Sequence, residues 1–96
     1  INAPDLSRSD LLVRITALAD DTRLRILQII KDEGQMCSQD VQQRLELSQS
    51  AGSRHLKQLT ATGYLVERWS EGAKCYSLNQ ERIEDTMQAL SRYLTK

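Results

Sequence analysis

Phenylalanine is absent from this 96-residue chain, and proline, tryptophan and histidine occur once each. With so few large rings, a core of this size sits near the lower limit for a free-standing domain, and oligomerisation would help bury it. Net charge is absent too, because 13 Lys and Arg face 13 Asp and Glu. That balance excludes a strongly basic tail or a polycationic coat for nucleic acid, and leaves room for a local basic patch. Apolar stretches are too short and too interrupted by charge for a membrane span, so no membrane partner is expected. No basic region precedes an apolar one, so no signal peptide is visible. The only cysteines are Cys37 and Cys75. Without an export signal they read as reduced thiols in a cytoplasm. One histidine, two separated cysteines and no glycine-rich phosphate loop assemble no acid, base and nucleophile, so the chain is not expected to be an enzyme. It opens on Ile1 rather than Met, as a processed chain or a fragment does.

What is present leans helical. Hydrophobic residues make up 40% and charged residues 27%, near the globular norm. Leucine and isoleucine far outnumber valine, which favours helix over strand. The spacing predicts a first helix over residues 6–19, with Leu11, Ile15 and Leu18 on one stripe. Asp20 reads as an N-cap for a second helix over 22–32, where Leu24, Leu27 and Ile30 share a side with Ile26 and Ile29 beside them. Gly34 is its natural stop. Ser38 is expected to cap a third helix reaching Leu45, and Ser48 a fourth over 49–62 that Gly63 ends. The intervening Glu46-Leu47 is tight enough for a helix-turn-helix. Residues 64–70 and 73–78 then read as a hairpin about Glu71-Gly72. Asn79 opens a last helix over 79–95, with Ile83, Met87, Leu90 and Leu94 at helical spacing. The order is α-α-α-α-β-β-α, a mainly α fold with a small β-hairpin, and residues 1–96 form one domain.

At this point the local sequences resemble a known family. Leu18-Ala-Asp-Asp-Thr-Arg-Leu-Arg-Ile-Leu27 looks like the opening of the ArsR/SmtB-type winged helix-turn-helix repressors. Leu47-Ser-Gln-Ser-Ala-Gly-Ser-Arg-His-Leu-Lys57 is similar to that family's recognition helix, and Gly63-Tyr-Leu-Val66 and Cys75-Tyr-Ser-Leu78 match its hairpin. The likeness covers about residues 6–95. It implies a DNA-binding transcriptional repressor, homodimeric, reading a two-fold operator through helix 49–62 and wing 64–78. Gly52 departs from the pattern, since a β-branched residue is more usual there. It either permits a close approach to a phosphate or a partner backbone, or is tolerated drift.

Charge by segment agrees with the likeness. Residues 48–76 carry Arg54, Lys57, Arg68 and Lys74 against Glu67 and Glu71, whereas residues 1–47 are net acidic. The window from Leu47 to Val66 holds no acid, which is where an electrostatic footprint for DNA should fall. Gln49, Ser50, Ser53 and Arg54 open the recognition helix and are the candidates for base edges. Free N–H groups behind Ser48 suit a phosphate, as does Lys57 one turn beyond Ser53. Arg68 and Lys74 flank the wing turn and are the candidates for an adjacent minor groove or its phosphates. His55 is expected to pack or bond locally rather than to titrate as a switch.

The resemblance also implies a dimer built from the terminal helices 6–19 and 79–95, with Leu11, Ile15 and Leu18 meeting Ile83, Met87, Leu90 and Leu94, and Tyr93 at the rim. Many relatives release DNA on binding metal. One family site uses Cys-x-Cys near the third helix, where this chain has Cys37 but Gln39. Another uses acids and histidines on the last helix, where Glu81, Glu84 and Asp85 stand without a histidine. Three or four convergent N/S ligands are missing, so no metal or other cofactor is expected. Cys37 and Cys75 leave two readings open: unpaired thiols used as small packing residues, or a thiol switch with Cys37 at a helix N-terminus. The effector stays unassigned, and a sensor domain preceding a cut at Ile1 is a further alternative. The competing functional reading is a winged-helix protein-interaction or dimerisation module without DNA readout.

Overall fold

The order of elements follows from where helical periodicity starts, stops and gives way to alternation. The computed structural model describes residues 6–95. Ser7 caps α1 (Arg8–Leu18) by accepting from the Asp10 N–H at 3.1 Å. Asp20 caps α2 (Asp21–Glu33) through Arg23 N–H at 3.0 Å, and Gly34 closes it at φ 87° by donating to the Ile30 carbonyl. A strand absent from the sequence reading follows: β1 (Met36–Cys37). It leads directly into α3 (Ser38–Arg44), so Cys37 is the N-cap, makes no side-chain cap bond, and Ser38 is the first helical residue. Ser38 is therefore not the cap. At two residues β1 is too short for alternation to announce it, and only its partner strand defines it.

The turn after α3 is closed by backbone. Glu46 adopts φ 53°, and the Leu47 N–H donates to the Gln42 carbonyl at 2.9 Å. That 6→1 bond is a Schellman closure, with a glutamate where glycine is usual. Ser48 then caps α4 (Gln49–Ala61) through the Ala51 N–H at 3.1 Å. Gly63, at φ 86°, ends α4 the same way, with the Tyr64 N–H donating to the Leu59 carbonyl. Strands β2 (Leu65–Ser70) and β3 (Ala73–Leu78) form the hairpin. Its two-residue turn has both Glu71 and Gly72 at positive φ, the geometry that matches strand twist. The sheet is antiparallel with order β1-β3-β2, and α5 (Gln80–Thr95) completes the chain behind an Asn79 side-chain cap on the Arg82 N–H. The order is thus α-α-β-α-α-β-β-α: the mainly helical winged helix-turn-helix, with one short strand added.

The core gathers Ala17, Ile26, Leu27, Ile30, Met36, Val41, Leu56, Leu59, Tyr64, Leu65 and Tyr76. It holds α2 and α4 against the sheet. The apolar stripe of α2 is narrower than expected, because Leu24 is 53% exposed. At 100° per residue Leu24 lies about 110° around from the midline of Ile26, Leu27 and Ile30, beyond the covered face. Fully buried Tyr64 ties the terminal helices together: its hydroxyl donates to the Arg14 carbonyl of α1 at 2.9 Å and stands 3.1 Å from Thr86 Oγ1 of α5. Burial pushes the Tyr64 hydroxyl above its ordinary pKa, so this link stays protonated at neutral pH.

Candidate nucleic-acid interface

The α3–α4 unit is held at close range by the absence of a side chain. Gly52 is buried, and a Cβ there would stand 2.8 Å from Gln42 Cγ on α3. The close approach this glycine allows is therefore internal, helix on helix, and faces neither a phosphate nor a second copy. The residues expected to meet DNA lie around the exposed arc of α4. Ser48, Gln49, Ser50, Ser53, Arg54 and Lys57 are all exposed, as are Arg68 and Lys74 on the hairpin.

The fold brings part of that set together. A cleft of about 540 Å³ runs between helix and hairpin, with Gln49, Ser53 and Lys57 on its α4 wall and Lys74 and Glu67 on its β wall. Ser50, Arg54 and Arg68 are exposed but do not line it. The two wing cations also part company. Strand register sets Glu67 opposite Tyr76 and Trp69 opposite Lys74, while Arg68 is opposite Cys75. Since side chains alternate along a strand, Glu67, Trp69, Lys74 and Tyr76 share one face and Arg68 sits on the other.

Lys74 is not a bare cation. Its Nζ stands 3.7 Å from Glu67 Oε2 and 5.7 Å from the centroid of the Trp69 ring. The same Glu67 oxygen accepts from the Tyr76 hydroxyl at 3.3 Å. Burial, then the neighbouring Glu67 charge and this bond, push the Tyr76 hydroxyl above its usual pKa. Trp69 is 65% exposed beside the turn and was missed by sequence reading, because its strand position gave no hint of which face it takes. Arg54 takes no part in the ion pairs found among the described residues.

His55 bonds locally. Its Nδ1 is 3.4 Å from Nη1 of Arg23, whose Nε and Nη2 donate to the Ala17 and Thr16 carbonyls at the end of α1. Partial burial holds the His55 pKa below its ordinary 6.5; the Asp20 charge opposes this, and Arg23 and Arg54 reinforce it. Asp20, whose carboxylate accepts from the Arg23 N–H, is itself held below 3.8.

The terminal helices α1 and α5 pack on each other. Leu11, expected on their outward face, is 4% exposed and is spent within the chain. Ile15, Leu18, Ile83 and Leu90 are half-buried. Met87, Tyr93 and Leu94 are exposed as expected, and Leu12 and Val13 of α1 join them. One residue of helical rotation separates Leu11 from Leu12, a shift that the stripe on α1 was too irregular to fix.

Cys37 and Cys75 are joined in a disulfide, contrary to the reading as reduced, unpaired thiols. Strand β1 is what unites them: it sets Cys37 directly opposite Cys75 with their Cα atoms 3.8 Å apart. With both sulfurs in that bond and Gln39 at the neighbouring position, these residues do not fit a thiolate metal site. Among the described residues no three His, Cys, Asp or Glu side chains converge on one point. No helix among them is long and apolar enough to cross a membrane.

A family profile described as winged helix-turn-helix DNA-binding matches residues 20–66. The arsenic resistance transcriptional regulator ArsR1 of Pseudomonas putida is 44% identical over 64 residues, which is 67% of this chain and 50% of that protein. The chain thus spans about half the length of that relative. ArsR2 of the same organism is 33% identical, over 98% of this chain and 81% of that one. Among solved structures, an ArsR-like transcriptional regulator from Rhodococcus sp. RHA1 superposes with a TM-score of 0.78 at 25% identity, covering 88% of this chain and 79% of that one.

Proposed function

The chain belongs to the ArsR/SmtB-type family of winged helix-turn-helix transcriptional regulators, and from that premise we propose that it is a cytoplasmic repressor binding operator DNA as a homodimer. The observation that carries this reading is the cleft flanked by Gln49, Ser53 and Lys57 on one side and Lys74 on the other. It sets a helix edge carrying amide, hydroxyl and cationic groups beside a hairpin, so that α4 can enter a major groove while the hairpin lies against the neighbouring backbone.

The roles divide by chemistry. Gln49 can pair with adenine N6/N7, Arg54 with guanine O6/N7, and Ser50 and Ser53 with either kind of base. Ser48 spends its oxygen on the Ala51 N–H, so its contribution is to hold the first turn open towards a phosphate. Lys57, Arg68 and Lys74 supply backbone charge. Copies pair through Leu12, Val13, Met87, Tyr93 and Leu94, with the half-buried Ile15, Leu18, Ile83 and Leu90 at its margin, which covers apolar surface otherwise left in water. No catalytic role is assigned. Several relatives are named for arsenic resistance, but the donor set described above offers no thiolate metal site, and the effector is left unassigned.

The test is selection of bound duplexes from a randomised library, followed by titration of Arg54→Ala. A two-fold consensus is expected, with the substitution costing about 1–3 kcal/mol, mostly at one base position per half-site. Recovery of no consensus, with affinity insensitive to salt, would instead identify a protein-interaction module.

A further inference from the structure

The disulfide fastens the wing to the start of the helix-turn-helix. Cys37 caps α3, and Cys75 lies on β3 opposite Arg68. Without the bond, the β1 edge of the sheet rests on a ladder of only two residue pairs, Met36 with Tyr76 and Cys37 with Cys75. The bond is also approachable from one side. Cys75 is 1% exposed, but Cys37 is only partly buried and lines a cleft of about 390 Å³ with Gln39, Asp40, Trp69 and Lys74. A small thiol can therefore reach the Cys37 sulfur while Cys75 stays inside.

We propose that Cys37 and Cys75 form a reversible thiol–disulfide switch that sets how firmly the wing is held for DNA. This rests on the DNA-binding reading above. A protein that works on DNA in a cytoplasm meets an environment that keeps thiols reduced, where disulfides are characteristically transient and redox-sensing. In the opening direction, a thiolate of a small dithiol attacks Cys37 Sγ and the Cys75 sulfur leaves as thiolate. The second thiol of the reductant, as thiolate, then displaces Cys37 from the mixed disulfide. The protein gains two electrons and two protons, and the dithiol becomes a disulfide. A low-molecular-weight disulfide closes the bond by the same exchange in reverse and is released as two thiols. In the closed state, Arg68 and Lys74 sit on a strand pair fixed to α3, so less conformational freedom is lost when they meet a duplex. Opening the bond returns that cost to binding.

The experiment uses the full chain with a duplex recovered by the selection described above. Oxidised and dithiothreitol-reduced protein are compared, the state of the sulfurs being read by alkylation and mass. We expect reduction to weaken binding by about threefold to tenfold, the cost of ordering one or two interface side chains. Cys37→Ser is expected to bind like reduced protein and to ignore the reductant. It leaves buried Cys75 in place, and circular dichroism checks that it is folded. Equal affinity in the two states, or tighter binding when reduced, overturns the proposal. Hydrogen exchange over residues 65–78 gives a readout independent of DNA: reduction should quicken exchange there relative to α4. If neither state binds any duplex, the DNA-binding reading fails, and unchanged wing exchange on reduction would still sink the switch.

Discussion

Replacing Gly52 by alanine sets two opposing effects against each other at one atom. In a helix interior alanine is favoured over glycine by about 1 kcal/mol, so propensity alone predicts a gain. Against it, the new Cβ would stand 2.8 Å from Gln42 Cγ, 3.5 Å from its Cδ and 3.6 Å from its Nε2. Carbon pairs settle at about 3.5–4.0 Å, so the first contact is too close by most of an ångström. Gln42 Cγ is one bond from Cβ, and helical χ1 choices are few, so it cannot simply swing away. Its backbone is also fixed, since its carbonyl accepts from Leu47 N–H and its neighbour Val41 is fully buried. Overpacking of this kind costs about 1–3 kcal/mol. Gly52→Ala should therefore lose about 1 kcal/mol net. In a Gln42→Ala background all three close atoms are gone, and the same change should gain about 1 kcal/mol. The coupling between the sites is then about 2 kcal/mol. Urea unfolding of the four proteins at one protomer concentration measures it, because dimerisation would otherwise shift the midpoints unequally. Coupling within about 0.5 kcal/mol of zero would refute the assignment of Gly52 to helix–helix contact.

Two further outcomes follow from the charges. With its pKa held below 6.5, His55 binds fewer protons folded than unfolded between its folded pKa and 6.5, so stability rises with pH across that window and falls as the solution is acidified below about pH 6.5. Urea midpoints at about pH 7.5 and about pH 5.5 should separate less in His55→Gln than in the parent, and identical separations would remove His55 as the cause. Glu67→Gln should release Lys74 to a phosphate, so log affinity should fall more steeply with log salt by about one per protomer. An unchanged slope would mean that Lys74 does not meet the duplex.

The helices were legible because each carries its own punctuation. Asp20, Ser48 and Asn79 cap where the side-chain chemistry says they should, and Gly34 and Gly63 stop where positive φ is needed. The exposed opening of α4 was legible for the same reason: once Ser48 fixes the first turn, the outward positions of Gln49, Ser50, Ser53 and Arg54 follow from helical geometry. What escaped was whatever depends on a partner distant in sequence. Strand β1 exists because β3 lies beside it, and with β1 unseen nothing could bring Cys37 to Cys75. Gly52 is explained only by Gln42, which belongs to another helix. Glu46 at φ 53° carries no sequence mark, since a glutamate there pays a conformational cost that only the tightness of the α3–α4 turn imposes.

The wing shows why net charge was a poor guide to partner. Residues 48–76 hold four cations and two acids, yet these charges do not act as a single sum. Glu67 is bonded to Tyr76 and close to Lys74, so one cation of the cleft is partly neutralised before any duplex arrives. Arg68 stands on the opposite face with Cys75, away from that acid. Glu67 therefore acts on Lys74 alone, whereas the tie between β1 and β3 steadies the whole hairpin that carries both cations. If so, the effects of Glu67→Gln and of disulfide reduction on DNA affinity should add, because one changes the charge beside Lys74 and the other the freedom of the hairpin as a whole. Titrating Glu67→Gln in both redox states measures this. A reduction effect that vanishes in Glu67→Gln would show that both act through Lys74, and the separation of charge from hairpin freedom would have to be given up.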